Sequence, residues 1–564
     1  MREIRYSRRE RLARLPARFC LSFSSLVLLT FSFCLPTAAQ RSTARHPGAV
    51  AHSPTNNVVD LTPAARAALD AAVAALQANS PGEAERQARV AVGAAPRSAV
   101  THNVLGVVLD RAGRSEEAVR EFNAAIKLDP NFVSARNNVG RVLAEHGKSA
   151  EAIAEFQRVL KTDPAHVQAH YNLGTLYRDA GDFVRAAEHF ARARAADPND
   201  SQLALAFLNV AYRANRESEA DAAANLVERT AGSDARALFT LATALAKNKQ
   251  YEHAVRVFER VNELTPRIYE VLYDLGIALY NLDRNDEAAR YLAEAADLNP
   301  QPAEAHYRLG LIASAGNDQT NAILEFKHAT ERDSNNANYH FLLAREYGRV
   351  GYWDGAIEEN TRAIEINPKE PAYIYARANA NYRKGEAAAA AADFDLAAQL
   401  DPKFENIDYL RGYAYRAAGN FDKAREILEK VVTTLPKHVD ALASLGFINI
   451  EQGRLEDAER PLKRALSLDP NNMPVLYDSA RVAVKRRDYG EAVIRLRHVI
   501  ERDPGHTQAH YQLFLAYSRL KQPEKAQVEL AEFKRLEELE KRVKEERIYD
   551  EKLRTQQVLG ELPR

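Results

Sequence analysis

Proline recurs at a spacing of 34 residues, or twice that, near the ends of successive segments, and this period constrains the fold more than any other feature. The series has no insertion between its first and last members, and Gly232 and Ser334 stand at the two positions where proline is absent. Thirty-four residues is the length of two helices and two turns. The chain is therefore predicted to be a stack of helical hairpins rather than several unrelated domains. The prolines are Pro96, Pro130, Pro164, Pro198, Pro266, Pro300, Pro368, Pro402, Pro436, Pro470 and Pro504.

Two further columns of small residues share this period. Alanine stands at fourteen successive positions from Ala84 to Ala526, and glycine or alanine recurs on the preceding helix from Gly106 to Ala480. Helix axes that approach to about 8–10 Å leave room only for a small side chain where they cross. Glycine inside a helix costs about 1 kcal/mol, so its repetition predicts a compensating gain from close packing.

The turn inside each hairpin forms a third column. Its members tolerate the left-handed backbone conformation that ends a helix. They are Gly113, Gly147, Gly181, Gly351, Gly385, Gly419 and Gly453, together with Asn79, Asn215, Asn317 and Asp283.

These units resemble tetratricopeptide repeats. The run from His170 to Tyr177, followed by Ala186, Phe190 and Asp197-Pro198, fits the family pattern almost throughout. The resemblance covers about 65–540 and implies an all-α fold, an α-solenoid of about fourteen hairpins in a right-handed superhelix. It also implies that the first helix of each repeat lines a concave groove. The first repeat is expected to be a thin, alanine-rich cap, and the fifth, 201–234, is the candidate for a flexible joint.

The N-terminus has the pattern of a targeting segment. Seven arginines precede an apolar run from Phe19 to Leu35, and small residues follow up to Ala39. This pattern predicts a secretory signal peptide over 1–39, with cleavage after Ala39, or a retained N-terminal membrane anchor. Either alternative exports the repeats to a bacterial periplasm or beyond, with the polar stretch 40–60 as a flexible linker. The solenoid is expected over 61–540, and a charged helical extension and tail over 541–564.

Charge and cysteine content exclude several functions. Lys+Arg and Asp+Glu both number 77, and the first 40 residues hold seven basic and two acidic side chains. The remainder therefore has 70 basic and 75 acidic residues, a net charge of −5, which argues against nucleic-acid binding. Both cysteines, Cys20 and Cys34, lie in the apolar run. A processed chain would have neither disulfides nor cysteine ligands.

The sequence offers no recognisable catalytic or cofactor motif. It contains no phosphate-binding loop, no His-Glu-x-x-His and no nucleophile elbow. Five histidines share one repeat position, which places them at least a repeat apart and favours packing over metal binding. We therefore expect a non-enzymatic chain without a cofactor or metal. These histidines are His102, His170, His306, His340 and His510.

An aromatic column on the first helices is the strongest candidate for a binding surface. It fits a row of amphipathic rings for an extended peptide or for sugars, although the family commonly has aromatic residues at this position. The column consists of Tyr171, Phe239, Tyr273, Tyr307, Phe341, Tyr375, Tyr409, Tyr477 and Tyr511.

Basic residues form a second candidate surface. Arg345 and Arg349 are four apart on one helix face, and Arg383 follows Arg349 one repeat later. The column of Arg349 also contains Arg213, Lys247, Lys485 and Arg519. Such a stripe is suited to carboxylates, but it is also typical of a solvated face paired with nearby acids.

The sequence thus predicts a non-catalytic scaffold of the bacterial cell envelope that binds extended protein segments along its groove. Long repeat surfaces gather many weak contacts, which suits such partners. The alternative is a polysaccharide-binding or assembly subunit of an envelope export machine. Nucleic acid is not expected as a partner, and contact with a membrane is expected only through an uncleaved N-terminal segment.

Overall fold

The computed structural model describes residues 61–404 and 406–560, and these fold into 28 α-helices without a strand in the described ranges. The predicted all-α solenoid is confirmed, and the 28 helices correspond to about fourteen hairpins. The predicted signal peptide or anchor, the linker and both cysteines lie outside the described residues. Within the described residues, none of the helices combines the length and apolar character needed to cross a membrane.

The contacts divide the chain into two compact units, one ending at Asn172 and the other beginning at Leu173. The helices up to the seventh are α1 Pro63–Gln77, α2 Pro81–Ala94, α3 Ala99–Arg111, α4 Ser115–Leu128, α5 Val133–Glu145, α6 Ser149–Thr162 and α7 Val167–Asp179. The next eleven are α8 Phe183–Ala196, α9 Ser201–Ala211, α10 Glu217–Ala231, α11 Ala235–Lys247, α12 Tyr251–Leu264, α13 Tyr269–Tyr280, α14 Asn285–Leu298, α15 Ala303–Ala315, α16 Gln319–Arg332, α17 Ala337–Arg349 and α18 Trp353–Ile366. The last ten are α19 Pro371–Lys384, α20 Ala387–Leu400, α21 Ile407–Ala417, α22 Phe421–Thr434, α23 Val439–Glu451, α24 Leu455–Leu468, α25 Met473–Lys485, α26 Tyr489–Arg502, α27 Thr507–Arg519 and α28 Pro523–Gly560.

Local sequence signals set the helix boundaries. Several first turns are closed by a side-chain cap, as where the Asp234 carboxylate accepts from the backbone N–H groups of Arg236 and Ala237. Second helices end at an extended residue before proline, as at Asp129 before Pro130, because that position disfavours the helical conformation.

The turn column is confirmed at every predicted position, each of which has a positive φ. Three further members, Lys249, Arg487 and Lys521, also have φ between 56° and 64°. Their side chains do not favour this conformation, so the sequence alone gave no sign of them. The geometry of the hairpin therefore imposes the left-handed backbone conformation at the turn position, whichever residue stands there.

The small columns lie where the prediction puts them, at close helix contacts. Alanines of the second-helix column are buried throughout, from Ala84 to Ala526. A β-carbon built on Gly310 would lie 2.6 Å from the ring of Phe326, and one on Gly106 would lie 2.5 Å from the ring of Phe122. The glycines thus let a large side chain of the second helix lie directly on the first-helix backbone.

Within each unit the hairpins pack in file, and several first helices also contact the first helix of the next hairpin, as α17 does with α19. We call the exposed side of these helices the first-helix face. The last helix, α28, is 38 residues long and also contacts α16. The alanine-rich first hairpin buries small residues such as Ala68, Ala72 and Ala88, as expected of a thin cap.

Candidate functional site

The nine residues of the aromatic column lie on first helices, and each is partly buried. Most of the rings contact another aromatic ring at or near the start of the next hairpin. The ring-centroid distances are 5.2 Å for Tyr307–Tyr339, 5.1 Å for Phe341–Tyr373, 4.7 Å for Tyr375–Phe404, 4.6 Å for Tyr409–His438 and 4.6 Å for Tyr477–His506. The column therefore joins neighbouring hairpins while presenting only part of each ring on the first-helix face.

Three rings of the column, Tyr375 among them, contact the second helix of their own hairpin. Phe239 lies 5.8 Å from Phe258, Tyr375 lies 5.7 Å from Phe394, and Tyr511 lies 5.1 Å from Phe533. These contacts give the column a packing role. A role in partner binding stays a prediction for all nine residues.

The predicted basic stripe is organised around a buried carboxylate. Glu346 is fully buried, and its Oε1 accepts hydrogen bonds from Arg345 at 3.0 and 3.1 Å. Arg349 donates to the other oxygen at 2.9 Å, and the hydroxyl of Ser314 donates to Oε1 at 2.8 Å. We call Ser314, Asn317, Arg345, Glu346 and Arg349 the Glu346 cluster.

The Glu346 cluster retains one positive charge, because two guanidinium groups face a single carboxylate. The side chains of Arg345 and Arg349 are 44% and 36% exposed, so both guanidiniums reach the surface. Arg349 also donates to Asn317 at 2.7 Å. Buried hydrogen bonds to Glu346 hold the two arginines in place, as a binding surface for anions requires.

Arg383 lies apart from these ion pairs. Its guanidinium lies 5.4 Å from the ring centre of Trp353, the single tryptophan of the chain. Within residues 61–404 and 406–560 it has no carboxylate within 4.0 Å. The structure thus places a stacked, charge-uncompensated arginine one repeat after the Glu346 cluster.

Two basic residues of the Arg349 column also bind backbone carbonyls. Arg349 and Lys485 each donate to a carbonyl in the last turn of the preceding first helix, Ser314 at 3.3 Å and Ile450 at 3.3 Å. Cations at helix C-termini satisfy carbonyls that lack an intrahelical partner. This capping role was not foreseen from the sequence.

The repeated histidines make specific structural hydrogen bonds. In His102, His340 and His510, Nδ1 lies 2.6 Å from a glutamate nineteen residues later, and Nε2 lies 3.1 Å from a backbone carbonyl oxygen six residues earlier. At these three positions the histidine therefore connects its own helix to the following helix and to the turn before it. In the described part of the chain, no group of three or more histidine, cysteine or acidic side chains is arranged to hold a metal ion.

Asparagines add a small polar network in the first unit. Asn138 donates to Asn103 at 3.0 Å, and Asn172 donates to Asn137 at 3.4 Å, in each case across a repeat. Both acceptor residues are buried. The asparagines at 138 and 172 thus link neighbouring first helices.

Models of the tetratricopeptide repeat family match most of the repeated region. One covers residues 103–165, 140–201, 273–337, 341–403 and 409–472, and a second covers 235–268. Together these matches span more than half of the chain.

Known proteins similar to this chain share its repeats at low identity. Anaphase-promoting complex subunit 3 of Schizosaccharomyces pombe is 26% identical over 171 residues, which is 30% of this chain and 26% of that relative. The C-terminal part of a TPR repeat-containing protein from Cytophaga hutchinsonii is 21% identical, with a TM-score of 0.36, over 43% of this chain and 98% of that one. The APC/C hetero-tetramer Cut9-Hcn1 is 14% identical, with a TM-score of 0.30, over 82% of this chain and 98% of that one.

Proposed function

The chain belongs to the tetratricopeptide repeat family, and on that premise we propose that it holds extended, acidic segments of partner proteins against its first-helix face. Tetratricopeptide repeats form protein–protein interaction scaffolds, and this chain is such a scaffold. We further propose that it works in the bacterial cell envelope, exported by its N-terminal segment, and that it is not an enzyme.

The observation that carries this proposal is the Glu346 cluster with Arg383. Three guanidinium groups stand on two consecutive first helices, α17 and α19, and only one buried carboxylate compensates them. Guanidinium groups bind carboxylates through paired, charge-assisted hydrogen bonds. The partly buried rings of Phe341 and Tyr375 lie on the same two helices and supply apolar contact area for a peptide backbone.

Arg383 gives the sharpest test because its loss leaves no buried charge unpaired. The probe is a fluorescent peptide of alternating glutamate and glycine, titrated into the full chain. Arg383→Gln should weaken its binding several-fold, and raising the salt concentration should reduce the effect, since the charges are near the surface. Arg362→Gln, an exposed arginine on the second helix α18, is the matched control and should change nothing. Equal affinity in all three proteins would contradict the proposal.

Capture from the native envelope tests the aromatic part of the surface. Changing Tyr307, Phe341 and Tyr375 together to alanine should release partner proteins that the unchanged chain retains. Unchanged capture would exclude these three rings of the first-helix face as a binding surface for partner proteins. A glycan array addresses the alternative in parallel, because binding to polysaccharide but not to the acidic peptide would favour a polysaccharide-binding subunit.

The location is tested separately. We propose that residues 1–39 direct export, so the mature chain should be recovered from the periplasmic fraction. N-terminal sequencing should give Gln40 as the first residue if the segment is cleaved, or the intact N-terminus in the membrane fraction if it is retained as an anchor. Recovery in the cytoplasm would overturn the proposed export without affecting the peptide-binding tests.

A further inference from the structure

Two aspartates occupy the same repeat position six periods of 34 residues apart, Asp274 on α13 and Asp478 on α25. Asp478 has a partner within the chain, because Arg481 donates to its Oδ1 at 2.9 Å. Arg481 also pairs with Glu451 on the preceding first helix. Repeat thirteen thus shows how a carboxylate at this position is satisfied, namely by a guanidinium that lies beside it on the first helix.

Asp274 lacks this guanidinium. The residue that corresponds to Arg481 is Ile277, and the residue that corresponds to Glu451 is Lys247. Within the described residues, the Asp274 carboxylate makes no hydrogen bond, and no cationic group lies within the 4.0 Å of an ion pair. A partly buried carboxylate without a hydrogen-bond partner costs free energy in the unbound protein.

The surroundings of Asp274 favour a cation. Burial raises the pKa of Asp274 to about 6; Lys247 on α11 lowers it in part, and Glu270 on α13 raises it again. On the same helix, α13, the rings of Tyr269 and Tyr273 stack with centroids 5.8 Å apart and planes 13° apart. A planar guanidinium can stack on an aromatic ring and pair with a carboxylate at the same time, so this combination of side chains suits an arginine.

We propose that Asp274 is the docking point for an arginine side chain of a partner segment, which takes the place that Arg481 occupies beside Asp478. Glu270, exposed one turn before Asp274, adds negative charge at the entrance. The inference rests on the proposed role as a peptide-binding scaffold, but it uses residues of repeats six and seven only. The partner segment recognised here is therefore basic at this point and acidic where it meets the Glu346 cluster.

The probe is a capped Gly-Arg-Gly peptide, and its neutral match is Gly-citrulline-Gly. Carboxyl-carbon NMR of the full chain, labelled at aspartate and assigned by loss of the signal in Asp274→Asn, follows the pKa of this group. Saturating arginine peptide should lower the pKa of Asp274 by at least one unit, whereas the citrulline peptide should not. If both peptides leave the Asp274 signal unchanged, the proposal is wrong.

Ile277→Arg supplies the guanidinium within the chain and copies the arrangement of repeat thirteen. It should lower the pKa of Asp274 without peptide and abolish the response to the arginine peptide, while Ile277→Met should behave like the unchanged chain. If Lys247 already fills the site in solution, only Lys247→Met will respond to the peptide, and that result would also overturn the proposal. None of these measurements depends on Arg345, Arg349 or Arg383, so they can fail while acidic-peptide binding stands.

Discussion

The imidazole of His340 is held between two acceptors: its Nδ1 lies 2.6 Å from Oε2 of Glu359, and its Nε2 lies 3.1 Å from the carbonyl oxygen of Ser334. A neutral ring carries one N–H, so both contacts are hydrogen bonds only in the imidazolium form. Burial alone would lower the pKa of His340, but the hydrogen bonds to Glu359 and Ser334 outweigh it and raise the pKa, against a smaller opposing effect of Arg362. The ring thus connects the turn before α17, α17 itself and α18.

This connection predicts a pH-dependent contribution to stability. Because the folded-state pKa of His340 is raised, the contribution is complete below the unfolded pKa of about 6.5 and is lost as the pH rises through the folded value. Glu359→Gln should therefore reduce hydrogen-exchange protection of the α17 amides at pH 5.5, by on the order of 1 kcal/mol, and much less at pH 8.5. Glu365→Gln, an exposed glutamate on the same helix, is the control. An equal loss at both pH values would contradict this account.

Much of the fold follows from the sequence because the period repeats each signal many times. The spacing of Pro96 and its equivalents and the alanine column fix the number and phase of the hairpins. The histidine contacts were in reach of the same reasoning, since a glutamate follows His102, His340 and His510 by nineteen residues each time. Sequence periodicity predicts which residues share a face of one helix, but the pairing of histidine with glutamate depends on how two helices cross.

The candidate site was less predictable from the sequence because its key contacts join different repeats. The spacing of Arg345 and Arg349 predicts a shared helix face, and the structure has both bound to Glu346. That glutamate is buried, and Ser314 of the preceding repeat donates to it, a contact between repeats that no pattern within one repeat reveals. Asp274 likewise becomes notable only once its equivalent, Asp478, is seen paired with arginine.

Close packing of glycine gives a second prediction. Gly310→Ala would place a β-carbon 2.6 Å from the Phe326 ring. We expect overpacking to lower the free energy of unfolding by about 1–3 kcal/mol, and the higher helix propensity of alanine to offset about 1 kcal/mol of that loss. Ala378 faces Phe394 at the equivalent position, which shows that a repeat built for alanine accommodates it. Gly316→Ala is the control, because its φ is −75° and its nearest neighbour would be 3.5 Å away. Urea unfolding should separate the two variants, and equal midpoints would argue against tight packing at Gly310.

The Glu346 cluster gives a third prediction, in which stability and binding change in opposite directions. Glu346→Gln leaves Arg345 and Arg349 without their buried counter-ion and should destabilise α17 by roughly 2–3 kcal/mol, below the loss typical of fully buried pairs because both guanidiniums are partly exposed. The same change raises the net charge of the cluster from +1 to +2, so the acidic peptide should bind a few-fold more tightly. Hydrogen exchange and peptide titration at low temperature measure the two effects. Weaker peptide binding by a folded Glu346→Gln variant would exclude the cluster as an acidic-peptide site.

The unpaired carboxylate of Asp274 gives the last prediction. Its folded-state pKa of about 6 lies above the ordinary aspartate value of 3.8, so the folded protein binds this proton more tightly than the unfolded chain does. The free energy of unfolding therefore falls as the pH rises from about 4 to 6. At neutral pH the ionised Asp274 lowers it by on the order of 1–3 kcal/mol. Asp274→Asn resembles the protonated acid in shape and charge, so it should be more stable than the unchanged chain at pH 7.5 and equal to it near pH 4. Asp478→Asn is the informative counterpart: burial raises the pKa of Asp478 as well, but the Arg481 guanidinium beside it lowers that pKa in part, so this change should stabilise the protein at pH 7.5 less than Asp274→Asn does. Thermal melts of both variants across this pH range make the comparison, and a neutral Asp274→Asn, or an Asp478→Asn that gains as much stability, would show that the two aspartates do not differ in pairing as the structure has them.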